Sequence, residues 1–248
     1  MATKTDGYQG LRRGLIIVSF LLFPLTIDYF SPYLIVDGAS QGIVNGSLLV
    51  FALLFAASLL LGRAWCGWVC PGAGLTEALF LANDRRARGG RLDWIKWGIW
   101  VLWTALIAFL AISAGGFRAV QPLHMMDSPI SVDAPQKYIV YYAVVGLMVA
   151  LSLAAGRRGF CHYTCWMAPF MILGARLRRL GRWPALRLRA EPANCIRCGR
   201  CTHDCPMSLD VQALVLRGDM AHDECILCRT CVDACPKGAI HITFSAGR

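Results

Sequence analysis

The apolar positions of this 248-residue chain gather into four long runs, roughly 14–30, 43–62, 94–113 and 138–155. Each approaches the ~20 residues that a helix needs to cross the hydrocarbon layer of a bilayer, so the pattern predicts four membrane-spanning helices. Pro24 falls inside the first run and Asp28 near its end, which predicts a kink there. Trp94, Trp97, Tyr138, Tyr141 and Tyr142 stand at run edges, where aromatic rings settle at headgroup level. From about residue 190 the chain turns polar and cysteine-rich. Three parts follow: a four-span membrane domain over 1–171, a basic amphipathic linker over 172–189 and a small separate domain over 190–248. The linker, ILGARLRRLGRWPALRLR, mixes Leu, Ile and Trp with Arg. It is expected either to lie on an anionic membrane surface or to serve as a solvated connector.

Composition agrees with a membrane protein: 56% of residues are hydrophobic and 16% charged. The net charge of +10 allows either nucleic-acid binding or the orienting of membrane helices, and position decides between them. Residues 1–189 hold 19 of the 25 Lys and Arg, and only Arg118 and Lys137 lie in the connecting loops 31–42 and 114–137. The rest lie before the first run, between Arg63 and Lys96 around RRARGGR (85–91), or along 157–189. The positive-inside rule then predicts a membrane protein with both termini in the cytoplasm, and no nucleic acid is needed to explain the charge. No small-residue cleavage site follows the first run, because Asp28, Tyr29 and Phe30 come next, so no secretory signal peptide is expected.

Twelve cysteines carry the chemistry. The tail reads CIRCGRCTHDCP (195–206) and CILCRTCVDACP (225–236), each C-x2-C-x2-C-x3-C-P. This is the spacing of bacterial two-cluster ferredoxins, in which three consecutive cysteines hold one [4Fe–4S] cluster and the fourth ligates the other. Cys195, Cys198, Cys201 and Cys235 are therefore assigned to one cluster, and Cys225, Cys228, Cys231 and Cys205 to the second. Zinc sites have no use for the third and fourth cysteines at this spacing. A disulfide framework needs an oxidising compartment, which the topology excludes. KGAIHITF (237–244) is expected to close the domain as a strand and SLDVQALVL (208–216) to link the motifs as a helix or turn. The fold class is thus an all-α four-helix polytopic membrane domain plus a small α+β 2×[4Fe–4S] ferredoxin domain.

A second pattern repeats at the ends of the second and fourth runs: GRAWCGWVCPGAG (62–74) and GRRGFCHYTCWMAPF (156–170). Both read G-R-x(1–2)-[WF]-C-x3-C, which points to an internal duplication of a two-span unit. The four rim cysteines, Cys66, Cys70, Cys161 and Cys165, face the same side as the tail. Three readings stay open for them: a third metal centre with two ligands from each half, redox-active thiols, or small buried side chains on a docking surface.

These features together resemble the NapH-type membrane iron–sulfur proteins, and are similar to the C-terminal half of the NosR regulators and to CcoG-type proteins. The resemblance covers nearly the whole chain. One departure stands out: Trp166 occupies the place of the proline that the family carries after the second cysteine pair, with Pro169 downstream. The resemblance implies a quinol dehydrogenase role, with electrons leaving through [4Fe–4S] clusters to a partner redox subunit, an iron–sulfur protein or a multihaem cytochrome. Trp65, Trp68, Trp166 and His162 beside the rim cysteines are candidates for a quinone or partner site. His124, with Met125 and Met126 in the loop 114–137, is a candidate for copper, quinone or partner contact, or for simple loop packing. Trp94, Trp97, Trp100 and Trp103 form a stripe better explained by packing. The chain has no C-x-x-C-H for haem attachment and no G-x-G-x-x-G before a helix, so hydride chemistry is not expected. Two alternatives to quinol oxidation are reduction of the clusters by a soluble ferredoxin, with electrons passing on to quinone or a partner, and an assembly role as reductant for a metalloenzyme.

Overall fold

The computed structural model describes residues 6–126 and 128–246; Lys4 and Arg248, which enter the charge count, lie outside them. The first apolar run forms α1 (Asp6–Leu21) and a short helical continuation from Phe23 to Phe30, with a 61° bend between them. The break falls at Leu22, two residues before Pro24, whose ring and missing N–H interrupt the helical ladder. Ser31 accepts a hydrogen bond from Leu34 N, and Pro32 in the first turn starts α2 (Pro32–Gln41). The second run loses its first residues to strand β1 (Ile43–Asn45), so helix α3 covers only Gly46–Leu61, capped by Asn45, which accepts from Leu48 N at 3.0 Å. Beyond α3 come two short helices, α4 (Ala64–Trp68) and α5 (Pro71–Ala78). The third and fourth runs form α6 (Ile95–Ser113) and α7 (Lys137–Ala155), joined by a loop whose strand β2 (Ala119–Gln121) pairs in parallel with β1.

Among the described residues two helices, Gly90–Ser113 with its leading turn and Lys137–Ala155, are long and apolar enough to cross a membrane, or three if the bent first pair is one span. Hydropathy alone predicts four. Proline divides the first run, and pairing with β2 shortens the second to 16 residues, about 24 Å of helix against a hydrocarbon layer of about 30 Å. Leu102, Phe109 and Ile112 on α6 and Ile139 and Val140 on α7 point outward, as on helices clad in lipid.

The duplication is visible in the backbone. In each half the span ends in a glycine whose N–H donates to a serine carbonyl, Gly62 to Ser58 and Gly156 to Ser152. Both glycines take positive φ, 58° and 92°, a region that side chains resist. A five-residue helix follows, α4 in the first half and α8 (Gly159–Tyr163) in the second, with Cys66 and Cys161 at its centre. Trp65 O then accepts from the N–H groups of Val69 and Cys70, and Phe160 O from those of Thr164 and Cys165. The next helix is α5 in one half and the longer α9 (Ala168–Gly181) in the other.

The segment 172–189 divides between two structures. Its first part continues α9, and its last part is strand β3 (Ala185–Ala190), antiparallel to β4 (Ile240–Ser245) from Ala185 opposite Ser245 to Ala190 opposite Ile240. The basic segment therefore supplies one of the two strands of the cysteine-rich lobe. Between the strands lie the two cysteine loops and α10 (Val211–Leu216), capped by Asp210, whose carboxylate accepts from Ala213 N at 3.1 Å. One continuous buried cluster runs from Phe23, Ile27 and Met148 in the bundle through Cys66, Cys161 and Met171 at the rim into Cys205, Ile226, Cys228 and Cys231 of the lobe.

Candidate functional site

Cys195, Cys198, Cys201 and Cys235 line one small cavity of the lobe, and Cys205, Cys225, Cys228 and Cys231 line another. Each set takes three cysteines from one motif and the fourth from the other. The loops curl in the same way: Arg197 and Gly199 have φ of 57° and 73°, and Leu227 and Arg229, at the matching positions, 51° and 68°. Left-handed residues between right-handed ones turn successive N–H groups inward, a concavity suited to anionic iron–sulfur groups. Three of the four residues are not glycine, and each costs about 1–2 kcal/mol in that conformation. Among the described residues no three His, Cys, Asp or Glu side chains meet closely enough for one metal ion. A four-iron cube offers a separate iron to each thiolate, so its ligands ring a gap instead of converging. Burial, reinforced by neighbouring sulfurs, pushes Cys205 up to about 12 and Cys231 well above the thiol range, and burial carries Cys225 to about 11. Ala239 N donates to Cys235 Sγ at 3.2 Å. Unbridged thiols crowded in this way are a donor set that loses its protons to bound metal, and it fits a [4Fe–4S] cluster at each gap.

The two sets differ in surroundings. Cys198 is exposed and its neighbour Ile196 is 57% exposed. Ile226, Leu227 and Cys228 are buried, because that motif sits on the first rim loop and α1. Gly67 lies so close beneath it that a Cβ there would meet Ile226 O at 2.5 Å and Cys228 Cα at 3.3 Å. Trp68 Nε1 donates to Leu227 O at 3.1 Å, and Gln9 Nε2 to Cys228 O at 3.2 Å and Asp233 Oδ2 at 2.6 Å.

The rim brings its four cysteines together. Burial raises the Cys70 thiol well above its usual range, and the sulfurs of Cys66, Cys161 and Cys165 raise it further. Burial, then Cys161 and Cys66, push Cys165 up to about 12. Burial also raises Cys161, with Arg158 opposing it. Cys66 Sγ lies 3.5 Å from Met171 Sδ.

Two buried ion clusters flank these thiols. Arg63 and Lys96 both pair with Glu224, at 2.8 and 2.5 Å, and Arg63 also donates to Asp223 O at 2.8 Å. Lys96 is fully buried. Burial alone would raise the Glu224 carboxyl, but the two cations hold it down to about 2. In the second cluster Glu77 accepts from Arg12 at 2.8 Å and from Arg158 at 2.5 Å. Despite burial it too stays below the usual carboxylate range, through Arg158 and then Arg12. Arg158 also donates to Cys66 O at 2.8 Å, and Arg12 to Gly67 O at 3.2 Å. Sequence reasoning treats these cations as topology signals. The one clue to their role is that Arg63 and Arg158 each stand three positions before the first cysteine of the repeated rim motif.

The aromatic candidates divide. Trp68 is engaged with the lobe, as described. Trp166 Nε1 donates to Phe30 O at 3.0 Å. Trp65 packs beside Phe30, with centroids 6.2 Å apart, and its buried Nε1 has no partner among the described residues. His162 faces acceptors through both ring nitrogens, Asp93 Oδ1 at 3.0 Å and Met207 O at 3.1 Å, and so bridges the rim to the lobe. His124 lies at the far end of α3 from the rim, against Asp37 at 2.7 Å. Its neighbours Met125 and Met126 differ, one exposed and the other buried.

Comparison with known proteins agrees with the cysteine pattern. Residues 194–240 match the family model described as "4Fe-4S dicluster domain", and residues 46–88 and 139–184 match "4Fe-4S binding domain". The second match embraces both rim loops. The chain is 28% identical to YccM of Escherichia coli over 86% of its length, covering 59% of that protein. It is 28% identical to the nitrogen fixation protein FixG of Rhizobium meliloti over 73% of its length, covering 38% of that protein. With the regulatory protein NosR of Pseudomonas aeruginosa it shares 32% identity over 73% of its length, covering 26% of that protein. The chain thus spans about half or less of these relatives. No solved structure gives a significant match.

Proposed function

We propose a route for electrons through this chain, which belongs to the membrane-associated iron–sulfur proteins of the NapH/NosR type. In this reading the bent first pair and the short α3 count as spans beside α6 and α7, giving four in a bacterial inner membrane with both termini in the cytoplasm, and the chain oxidises membrane quinol beside its rim loops. Electrons leave through the tail to a partner redox subunit. One observation carries the reading: Cys66 and Cys161 of the rim, with Cys165 packed against them, share a single buried core with Cys205, Cys228 and Cys231 of the inner tail set, and Gly67 lies directly beneath Cys228. That contact shortens the path and excludes water along it.

Cys205, Cys225, Cys228 and Cys231 would hold the inner cluster, and Cys195, Cys198, Cys201 and Cys235 the outer one. When bound, such clusters accept single electrons, so two of them divide the pair that a quinol gives up. The unpartnered Trp65 N–H is a donor for a quinone oxygen, since a buried donor without an acceptor costs about 1–3 kcal/mol. Trp166 and Phe30 wall that place. The four rim thiols are proposed as ligands of a third centre; their mutual proximity and the second family match support this.

The test is EPR of the purified protein in detergent, oxidised and then mixed anaerobically with a short-chain quinol. Reduced-cluster signals are expected after quinol and not after buffer. Reduction by dithionite alone would overturn quinol as donor. Iron per chain should fall in a Cys66→Ser/Cys161→Ser variant; an unchanged value would remove the third centre. A second reading, inward flow from a soluble acidic donor, draws on the exposed Arg197, Arg200 and Lys237 around Cys198. Reduction of the outer cluster by reduced ferredoxin, with none by quinol, would favour it.

A further inference from the structure

Between α9, the β3–β4 pair and the turn 218–222 lies a cavity of about 650 Å³, lined by Arg63, Arg178, Arg179, Arg187 and Arg189. Two of these have carboxylate partners, Arg63 with Glu224 at 2.8 Å and Arg179 with Asp223 at 2.5 Å. Among the described residues the other three find only neutral acceptors. Arg178 Nη1 donates to Leu186 O at 2.6 Å, Arg187 to Ser245 O at 3.2 Å and Trp183 O at 3.3 Å, and Arg189 to Ser245 Oγ at 3.2 Å. The cavity's own carboxylates do not answer them: Glu191 is taken by His241 at 3.2 Å, and Asp219 accepts from Ala221 N at 2.8 Å.

Arg178 is only 8% exposed, and its Nε, like that of Arg63, is buried with no partner among the described residues. Burial, then the nearby Arg187 and Arg179, lower the Arg178 guanidinium to about 10. The fold holds these cations together against desolvation and mutual repulsion, as it would around an absent anion. Guanidinium forks match the paired oxygens of phosphate.

We propose that this cavity binds a phosphate anion seated on Arg178, Arg187 and Arg189. Its position favours phosphate carried by a lipid headgroup. Trp183, beside the cavity, donates to Leu59 O at the end of α3 at 2.9 Å, which sets the site level with the end of a bundle helix. Leu177 and Leu180 on α9 are exposed nearby, Leu180 by 79%, as side chains beside acyl chains would be.

The test uses the full chain in neutral detergent. Native mass spectrometry reads binding of phosphatidylglycerol and phosphatidylcholine, and calorimetry reads inorganic phosphate. The wild type should hold phosphatidylglycerol roughly tenfold more tightly than an Arg187→Gln/Arg189→Gln variant does, with phosphatidylcholine weaker than either. Inorganic phosphate binding the wild type as tightly as phosphatidylglycerol, and lost in the variant, keeps the site and makes free phosphate its source. Equal binding of both probes by wild type and variant overturns the proposal. Elution volume and far-UV circular dichroism establish that the variant is folded, and Arg178→Gln serves as a second probe if it passes the same check. Because the readout is binding, the result is independent of whether quinol reduces the clusters.

Discussion

The two cysteine motifs, 195–206 and 225–236, share their spacing and the positions of their left-handed residues, yet they stand in opposite surroundings. The first carries an exposed cysteine and an exposed isoleucine, ringed by Arg197, Arg200 and Lys237. The second is pressed against the rim loop, preceded by the buried Glu224 and covered by α1. The local code for holding a cluster is therefore the same in both, and what differs is set by residues outside the code. A glutamate one position before the first cysteine fixes one motif to the membrane domain. The matching position of the other motif is Asn194, which is exposed and bonds only to Glu191, at 2.6 Å.

The most direct way to break this comparison is Glu224→Gln, which leaves Arg63 and Lys96 buried without a carboxylate. A loss of about 3–5 kcal/mol is expected, read as a lower melting temperature and faster proteolytic release of the tail. Asp204→Asn in the outer motif, where the aspartate pairs with an exposed His203, should change neither by more than a small fraction of this. Acid makes the same cut more gradually. The Glu224 carboxyl sits at about 2 in the fold against an ordinary 4.5. Its contribution is present above pH 4.5 and is lost as pH falls towards 2, up to about 3 kcal/mol in all. The melting gap between wild type and Glu224→Gln should therefore narrow as pH falls below 4.5; a constant gap would show that the pairing carries no such linkage.

Gly67→Ala is expected to act less severely, at about 1–3 kcal/mol. The new methyl group meets the Ile226 carbonyl, a backbone atom that cannot swing aside. Slower cluster reduction by quinol, at unchanged iron content, is the accompanying sign. The smallest effect belongs to Arg197→Gly, which relieves a left-handed residue of the outer loop at the cost of chain entropy. A net change within about 1 kcal/mol is expected in denaturant titration. Arg229→Gly at the matching inner position should instead destabilise, because Arg229 also bonds Asp233 at 2.9 Å and lies 4.1 Å over the Tyr8 ring.

The cysteine chemistry was legible in sequence because ligand spacing is a local property. The grouping of Cys235 with Cys195, and of Cys205 with Cys225, follows from a repeat twelve residues long. The duplication of the rim loops was legible for the same reason. The ion clusters were not. Arg12, Glu77 and Arg158 come from three distant parts of the chain, and a count of positive charge treats Arg12 and an exposed arginine alike. Hydropathy likewise marks where apolar residues gather but not where a proline or a strand partner shortens the helix, so it overstates the first two runs. The linker misled in a different way. The alternation of Leu and Arg over 185–189 is strand periodicity, but the run of arginines before it suggested one continuous basic surface.

The contact of Gln9 with Cys228 joins residues 219 positions apart. During synthesis, at roughly 5–20 residues per second, α1 waits some 10–45 s before its partner emerges. Through that interval Gln9 and Arg12 line a half-built seat, and the second cysteine motif is the one that closes it. A chain cut short before residue 225 therefore lacks the motif that meets Gly67, Trp68 and Gln9.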